Sequence, residues 1–169
     1  MSCALKITAA ALLLSLLGGC GSTVIMHDQG QPLAPDEIVV LTKVRAAYAG
    51  KLGLSTEGLG AGRTVLLTEG DNFLALRLKN GRTYTVTRYE FGQYVVYFEN
   101  PIEFTLTSDA MIYIGDIYLS GKYSKIAGLG QLVGMQAIVS DNEIETIKKL
   151  KQKYATAFEN YRYQKILAQ

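Results

Sequence analysis

Few side chains in this 169-residue chain are of a type that does chemistry. Cys20 closes an apolar run as Leu17-Gly18-Gly19-Cys20, and His27 is the only histidine. Glu90, Glu99, Glu103, Asp109 and Asp116 are the carboxylates that folding could pair. A Ser-His nucleophile needs an imidazole to take the hydroxyl proton, and no Gly-x-Ser-x-Gly turn occurs to present the serine. His27 lies in a mixed polar segment, where a solitary imidazole is solvated. Zinc needs clustered His and Cys ligands that the sequence does not supply. The five carboxylates fall mostly at turns or outward strand positions, where solvation is the default. Gly58, Gly60 and Gly62 fail as a phosphate loop, because Arg63 stands where a third glycine belongs and no Gly-Lys-Ser/Thr follows. No catalytic residue, cofactor or metal ligand is expected, and the chain reads as a non-enzyme. What remains is the thiol of Cys20, placed where a lipid can be attached, and eleven tyrosines able to build a stacking surface.

The residues that position Cys20 have the three-part layout of a secretory signal. Lys6 and the amino terminus are positive, Ile7 to Leu17 is apolar all round, and Gly18-Gly19 are small enough for a peptidase cleft. A spanning helix needs roughly 20 apolar residues to cross about 30 Å of hydrocarbon, and this run is too short. Leu17-Gly18-Gly19-Cys20 resembles the lipobox of bacterial lipoproteins. The resemblance implies cleavage between Gly19 and Cys20, a thioether-linked diacylglycerol on Cys20 and an acyl chain such as palmitate on its new α-amine. One chain holds only marginally, but three together are effectively permanent. Gly21, and not Asp, follows the cysteine. By analogy with the sorting of such lipoproteins this implies the outer membrane of the cell envelope, where a host has one, and the side expected is the periplasmic face.

Composition bounds the rest. The formal net charge of +2 falls to about +1 with Lys6 removed, which argues against nucleic acid and against electrostatic docking on anionic lipid. Cys3 leaves with the signal, so the mature chain has a single cysteine and no disulfide. Roughly 150 residues remain, one domain's worth, enough for a core that needs no staple.

Residues 20–35 read as a lipidated tether, which extended at ~3.5 Å per residue reaches about 50 Å. The domain opens with Ile38-Val39-Val40-Leu41, a β-branched run suited to a strand covered on both faces. Residues 52–63 read as a glycine-rich loop. Strand signals then recur at 65–67, 74–78, 83–89, 94–98, 102–106 and 111–119. Asn80-Gly81 is a strong hairpin signal between two of them. Asn100-Pro101 reads as a break, and Gly115-Asp116 as a bulge. Residues 120–134 read as a long hairpin loop or a ragged edge pair, and 135–139 as the closing strand. Ser140-Asp141-Asn142-Glu143 has the capping-box pattern and predicts a helix to about Tyr161. Ile144, Ile147, Leu150, Tyr154, Phe158 and Tyr161 form its apolar stripe. Lys148, Lys149, Lys151 and Lys153 read as its solvated face, with a cationic membrane-surface helix as the sharper reading.

The segment 102–119, a Phe-containing strand, a turn and then Met-Ile-Tyr-Ile-Gly-Asp-Ile, resembles small bacterial lipoproteins that carry an immunoglobulin-like or transthyretin-like sandwich related to carboxypeptidase regulatory modules. The fold expected is mostly β: an antiparallel β-sandwich with a C-terminal α-helix. The organisation expected is a cleaved signal at 1–19, a tether at 20–35, a β domain at 36–140, a helix at 141–162 and a tail at 163–169. The function expected is a non-enzymatic, lipid-anchored envelope protein whose role is structural or is to bind a protein or envelope component. The alternatives are a small membrane-tethered hydrolase or glycan-active enzyme, and an accessory subunit of an envelope assembly.

Overall fold

The computed structural model describes residues 22–23, 32–56, 59–107, 111–126 and 129–169. Its strands are β1 (Ser22–Thr23), β2 (Glu37–Ala46), β3 (Gly50–Thr56), β4 (Leu59–Leu67) and β5 (Gly70–Lys79), followed by β6 (Arg82–Phe91), β7 (Tyr94–Leu106), β8 (Met111–Ile126), β9 (Leu129–Ser140) and β10 (Tyr163–Lys165). Two short helices, α1 (Glu143–Lys153) and α2 (Ala155–Asn160), precede β10. The domain is therefore mostly β with a helical C-terminal segment. Its strands follow one path, β1-β4-β3-β6-β7-β9-β8-β2-β5. This is a single, nearly closed, barrel-like sheet in place of the two separate layers expected. The join is narrow, a single parallel bridge between Phe98 of β7 and Met135 of β9.

Period-2 alternation explains how β2 is covered on both faces. Ile38, Val40 and Val44 turn into the barrel with Leu76, Leu78, Leu52, Val86, Phe104, Ile112 and Ile117. Val39 and Leu41 turn outward and are covered by Ile147 and Leu150 of α1, together with Tyr154 and Ala157. The inner core is filled, leaving a void of only about 10 Å³ between Thr42, Leu54, Leu74 and their neighbours.

Several elements depart from the sequence reading. Asn80-Gly81 has the expected backbone, with Gly81 at φ +70, but β5 and β6 do not pair. β5 pairs with β2, and β6 lies between β3 and β7. Turn chemistry reverses the chain locally, and here the reversal carries it from one part of the sheet to another. The Tyr84 hydroxyl accepts from the Lys79 amide at 2.9 Å across the turn. Residues 52–63 are two paired strands instead of a loop. Gly53 is required by packing, since a Cβ there would lie 2.6 Å from Cγ of Arg88. Asn100-Pro101 does not end a strand. β7 runs through it, with the register against β6 shifting between Val86 and Arg88. β8 and β9 pair as far as Ile126 and Leu129, so the second glycine-rich stretch is largely hairpin.

The capping box does not form. Ser140 ends β9, Asn142 is the N-cap residue and makes no side-chain cap bond, and the Asn142 amide is used elsewhere. The single helix expected is broken at Tyr154 (φ −128, ψ 44), whose hydroxyl reaches the Phe73 carbonyl at 3.4 Å. Ile144 is 89% exposed, because the buried face lies between Ile147 and Thr146 and Ile144 falls off its far side. Residues 163–169, read as a tail, extend the sheet. β10 pairs in parallel with Met111–Tyr113 of β8, and Gln169 exchanges two backbone hydrogen bonds with Glu103 of β7. They thus occupy the gap between β8 and β7 beyond the end of β9.

Candidate functional site

Among the described residues, the densest polar cluster is built by the bulge in β8. Leu41 of β2 faces Tyr113, but Lys43 faces Asp116, so β8 carries one extra residue between them. Gly115 takes up the irregularity at φ +98. Without it, alternation would turn Asp116 into the barrel with Ile112 and Ile114. With it, Asp116 joins the outward face of Tyr113 and Lys43, beneath the start of α1.

Asp116 is completely buried, against the solvation that its type and position predict. Lys43 Nζ lies 2.6 Å from Oδ2. The Tyr113 hydroxyl donates to Oδ1 at 2.8 Å, and the Thr146 hydroxyl lies 2.8 and 3.0 Å from the two oxygens. Asn142 Nδ2 adds a contact to Oδ2 at 3.3 Å and donates to the Tyr118 hydroxyl at 3.0 Å. Lys43 also donates to Tyr118 at 3.2 Å. Burial alone would depress the Lys43 ammonium, but its bonds to Asp116 and Tyr118 outweigh that and hold it above its ordinary value. Burial, reinforced by the Asp116 charge, pushes the Tyr113 phenol well up.

Chemically this arrangement is a closed ion pair. Both carboxylate oxygens are engaged from several sides, which leaves no open position for a substrate. What it does is mechanical: it ties β2 and β8 to Asn142 and Thr146, the first turn of α1. The sequence contained the bulge but no sign that a helix N-terminus would cover it.

The other candidate carboxylates are dispersed. Glu90 pairs with Arg88 at 2.8 Å, Glu99 with Lys122, and Glu103 sits beside Thr85 and the backbone of Gln169. Cys20, Gly19, His27 and Asp109 lie outside the described residues, as do the signal segment and most of the tether. Among the described residues, no group of three or more His, Cys, Asp or Glu side chains is placed to hold a metal ion. No helix among them is long and apolar enough to cross a membrane.

An open groove of about 610 Å³ runs along the start of α1, lined by Asp141, Glu143, Ile144, Glu145, Lys148 and Lys165. Lys165 lies 3.0 Å from Asp141 and 2.8 Å from Glu143, and the Tyr163 hydroxyl donates to Glu143 at 2.6 Å. The hydrogen bonds from Lys165 hold both carboxyls below their ordinary range. A general acid needs the opposite shift.

Comparison with protein-family models, curated proteins and solved structures finds no match. The described part of the expected tether lies against the domain: Ser22 and Thr23 pair in parallel with Arg63 and Thr64 on the edge of β4. The Pro32 carbonyl accepts from Arg77 at 3.0 Å, and Leu33 packs on the cluster beneath the helices.

Proposed function

We propose that this chain is a lipid-anchored cell-envelope protein whose β domain acts by binding a protein or envelope component. The observation that carries the reading is Leu17-Gly18-Gly19-Cys20 at the end of a short apolar run. Acylation of Cys20 would fix the protein to a bilayer without a spanning helix. Gly21 after it supports sorting to the outer membrane. The filled barrel and the closed Asp116 ion pair agree with a domain that works through its surface. The resemblance to lipoproteins with an immunoglobulin-like or transthyretin-like sandwich enters only through the β content and the C-terminal helix.

Intact-mass measurement of the membrane-extracted protein tests this. The expected mass is that of residues 20–169 plus a diacylglycerol and an acyl chain. Cys20→Ser should leave the leader attached or release the chain from membranes. An unmodified thiol at Cys20, or a Cys20→Ser protein that is processed and still membrane-bound, would overturn the reading.

A further inference from the structure

We propose that in the acylated protein the outward face of β4, β3, β6 and β7 lies on the lipid surface, with β1 as the strap that holds it there. This rests on the Cys20 anchor proposed above. Two independent observations converge on it.

The first is register. Ser22 and Thr23 pair with Arg63 and Thr64, so the chain is attached to the domain two residues after Cys20. Two residues span at most about 7 Å. The acyl chains therefore meet the domain at the β4 edge, and the long swing of a free fifteen-residue tether is lost.

The second is the composition of the face that begins at that edge. Cross-strand pairing sets Leu66, Lys51, Glu90 and Val95 in one row. Thr64, Gly53, Arg88 and Tyr97 form the next. Leu66 is 61% exposed, Val95 55% and Tyr97 67%. Large side chains exposed on one sheet face are what an interface uses, and tyrosine suits the headgroup level of a bilayer. Of the three charges between them, Arg88 and Glu90 are paired with each other, and the long stem of Lys51 can lie along the face with its ammonium at the headgroups. Thr64 pairs with Thr23 of the strap and belongs to this face, and Leu66 follows it on the same strand.

The rival orientation puts the lysines of α1 on the membrane. α1 covers the outward face of β2, β5 and β8, across the core from this patch, so the two orientations are separable. Full-length acylated protein would be placed in phosphatidylethanolamine–phosphatidylglycerol vesicles that carry a nitroxide on a lipid headgroup. A fluorophore would sit on a single added cysteine in Leu66→Cys, Tyr97→Cys or Lys148→Cys, with Cys20 occupied by lipid. The expected result is several-fold stronger quenching at 66 and 97 than at 148. Equal quenching, or stronger quenching at 148, would overturn the proposal. Ser22→Pro with Thr23→Pro removes both backbone N–H groups of the strap, whichever of them faces β4. It should bring 66 and 97 down to the level of 148 while the protein still sediments with the vesicles, and unchanged asymmetry would refute the role given to β1. Failure of the anchor itself reads differently: the unsubstituted protein would not sediment at all.

Discussion

Removing the carboxylate of Asp116 leaves the Lys43 ammonium beneath α1 without its counter-ion, and leaves the hydroxyls of Tyr113 and Thr146 without an acceptor. Breaking a buried pair from one side costs about 3–5 kcal/mol, more than the intact pair contributes. Asp116→Ala should lower the unfolding free energy by that amount in urea titrations. Lys43→Met should cost less, about 1–3 kcal/mol, because three donors still face the carboxylate and the methionine refills the space. Equal costs would mean that the hydroxyl and amide contacts contribute little. The same cluster sets an alkaline limit. The folded chain holds the protons of Lys43 and Tyr113 more tightly than the unfolded chain does. Their contribution is therefore complete below the unfolded-state values, about 10 for Tyr and about 10.4 for Lys. It is lost as pH rises through the higher folded-state values. Thermal midpoints should hold level to about pH 9 and fall beyond about pH 10, with Tyr113→Phe removing part of the fall. A midpoint already falling by about pH 8 would contradict this assignment. The sequence marked the bulge at Gly115-Asp116. The burial of Asp116 was not legible there, because it depends on where a helix twenty-six residues later comes to rest.

Among the elements, β2, β5 and β8 contribute to both cores, and the bulge in β8 decides which of its side chains each core receives. Gly115→Ala tests it. A Cβ there would lie 2.6 Å from Cγ1 of Val139, at a φ of +98 that L side chains rarely adopt. The expected loss is about 2–4 kcal/mol, combining strain with a poorly relieved contact. Chemical shifts of Lys43, Asp116 and Thr146 should move together. A neutral Gly115→Ala would show that the bulge tolerates a side chain and does not fix the cluster. Legibility at this scale follows the range of the interaction. The alternation of 74–78 and 102–106, and the β-branched run 38–41, report burial directly and matched the strands formed. Asn80-Gly81 reported a turn accurately but said nothing about which strands would then meet. The glycines at 52–63 suggested a loop, yet Gly53 is a strand residue kept small by Arg88 on the next strand, and of the two readings open for 120–134 it is the edge pair that formed. The capping box failed for a similar reason. Asn142 spends its side chain on Asp116, Tyr118 and Ser140, so tertiary bonds outcompete the local cap.

At the scale of the whole molecule, the sheet is completed by the end of the chain that composition made least conspicuous. Residues 163–169 alternate no better than a tail, yet β10 lies along the start of β8, and Ile166 and Ala168 donate to the carbonyls of Tyr113 and Ile114. Gln169 then closes onto Glu103 of β7 with one bond in each direction. These bonds occupy the part of the circuit that β9 leaves open, where the bridge from β7 to β9 is a single pair. Lys165 and Tyr163 also tie the strand to Asp141 and Glu143 at the start of α1. Deleting residues 163–169 should therefore loosen the join between the two parts of the sheet and the seat of the helix together. The thermal midpoint should drop by about 5–10 °C. Hydrogen exchange should accelerate first at Glu103 and at Ile112 to Ile114, while β3 and β6, paired on both sides by other strands, keep their protection. If exchange at Glu103 stayed slow in the shortened chain, the narrow bridge at Phe98 and Met135 would be holding the circuit closed without help. The last strand would then be a passenger on the sheet.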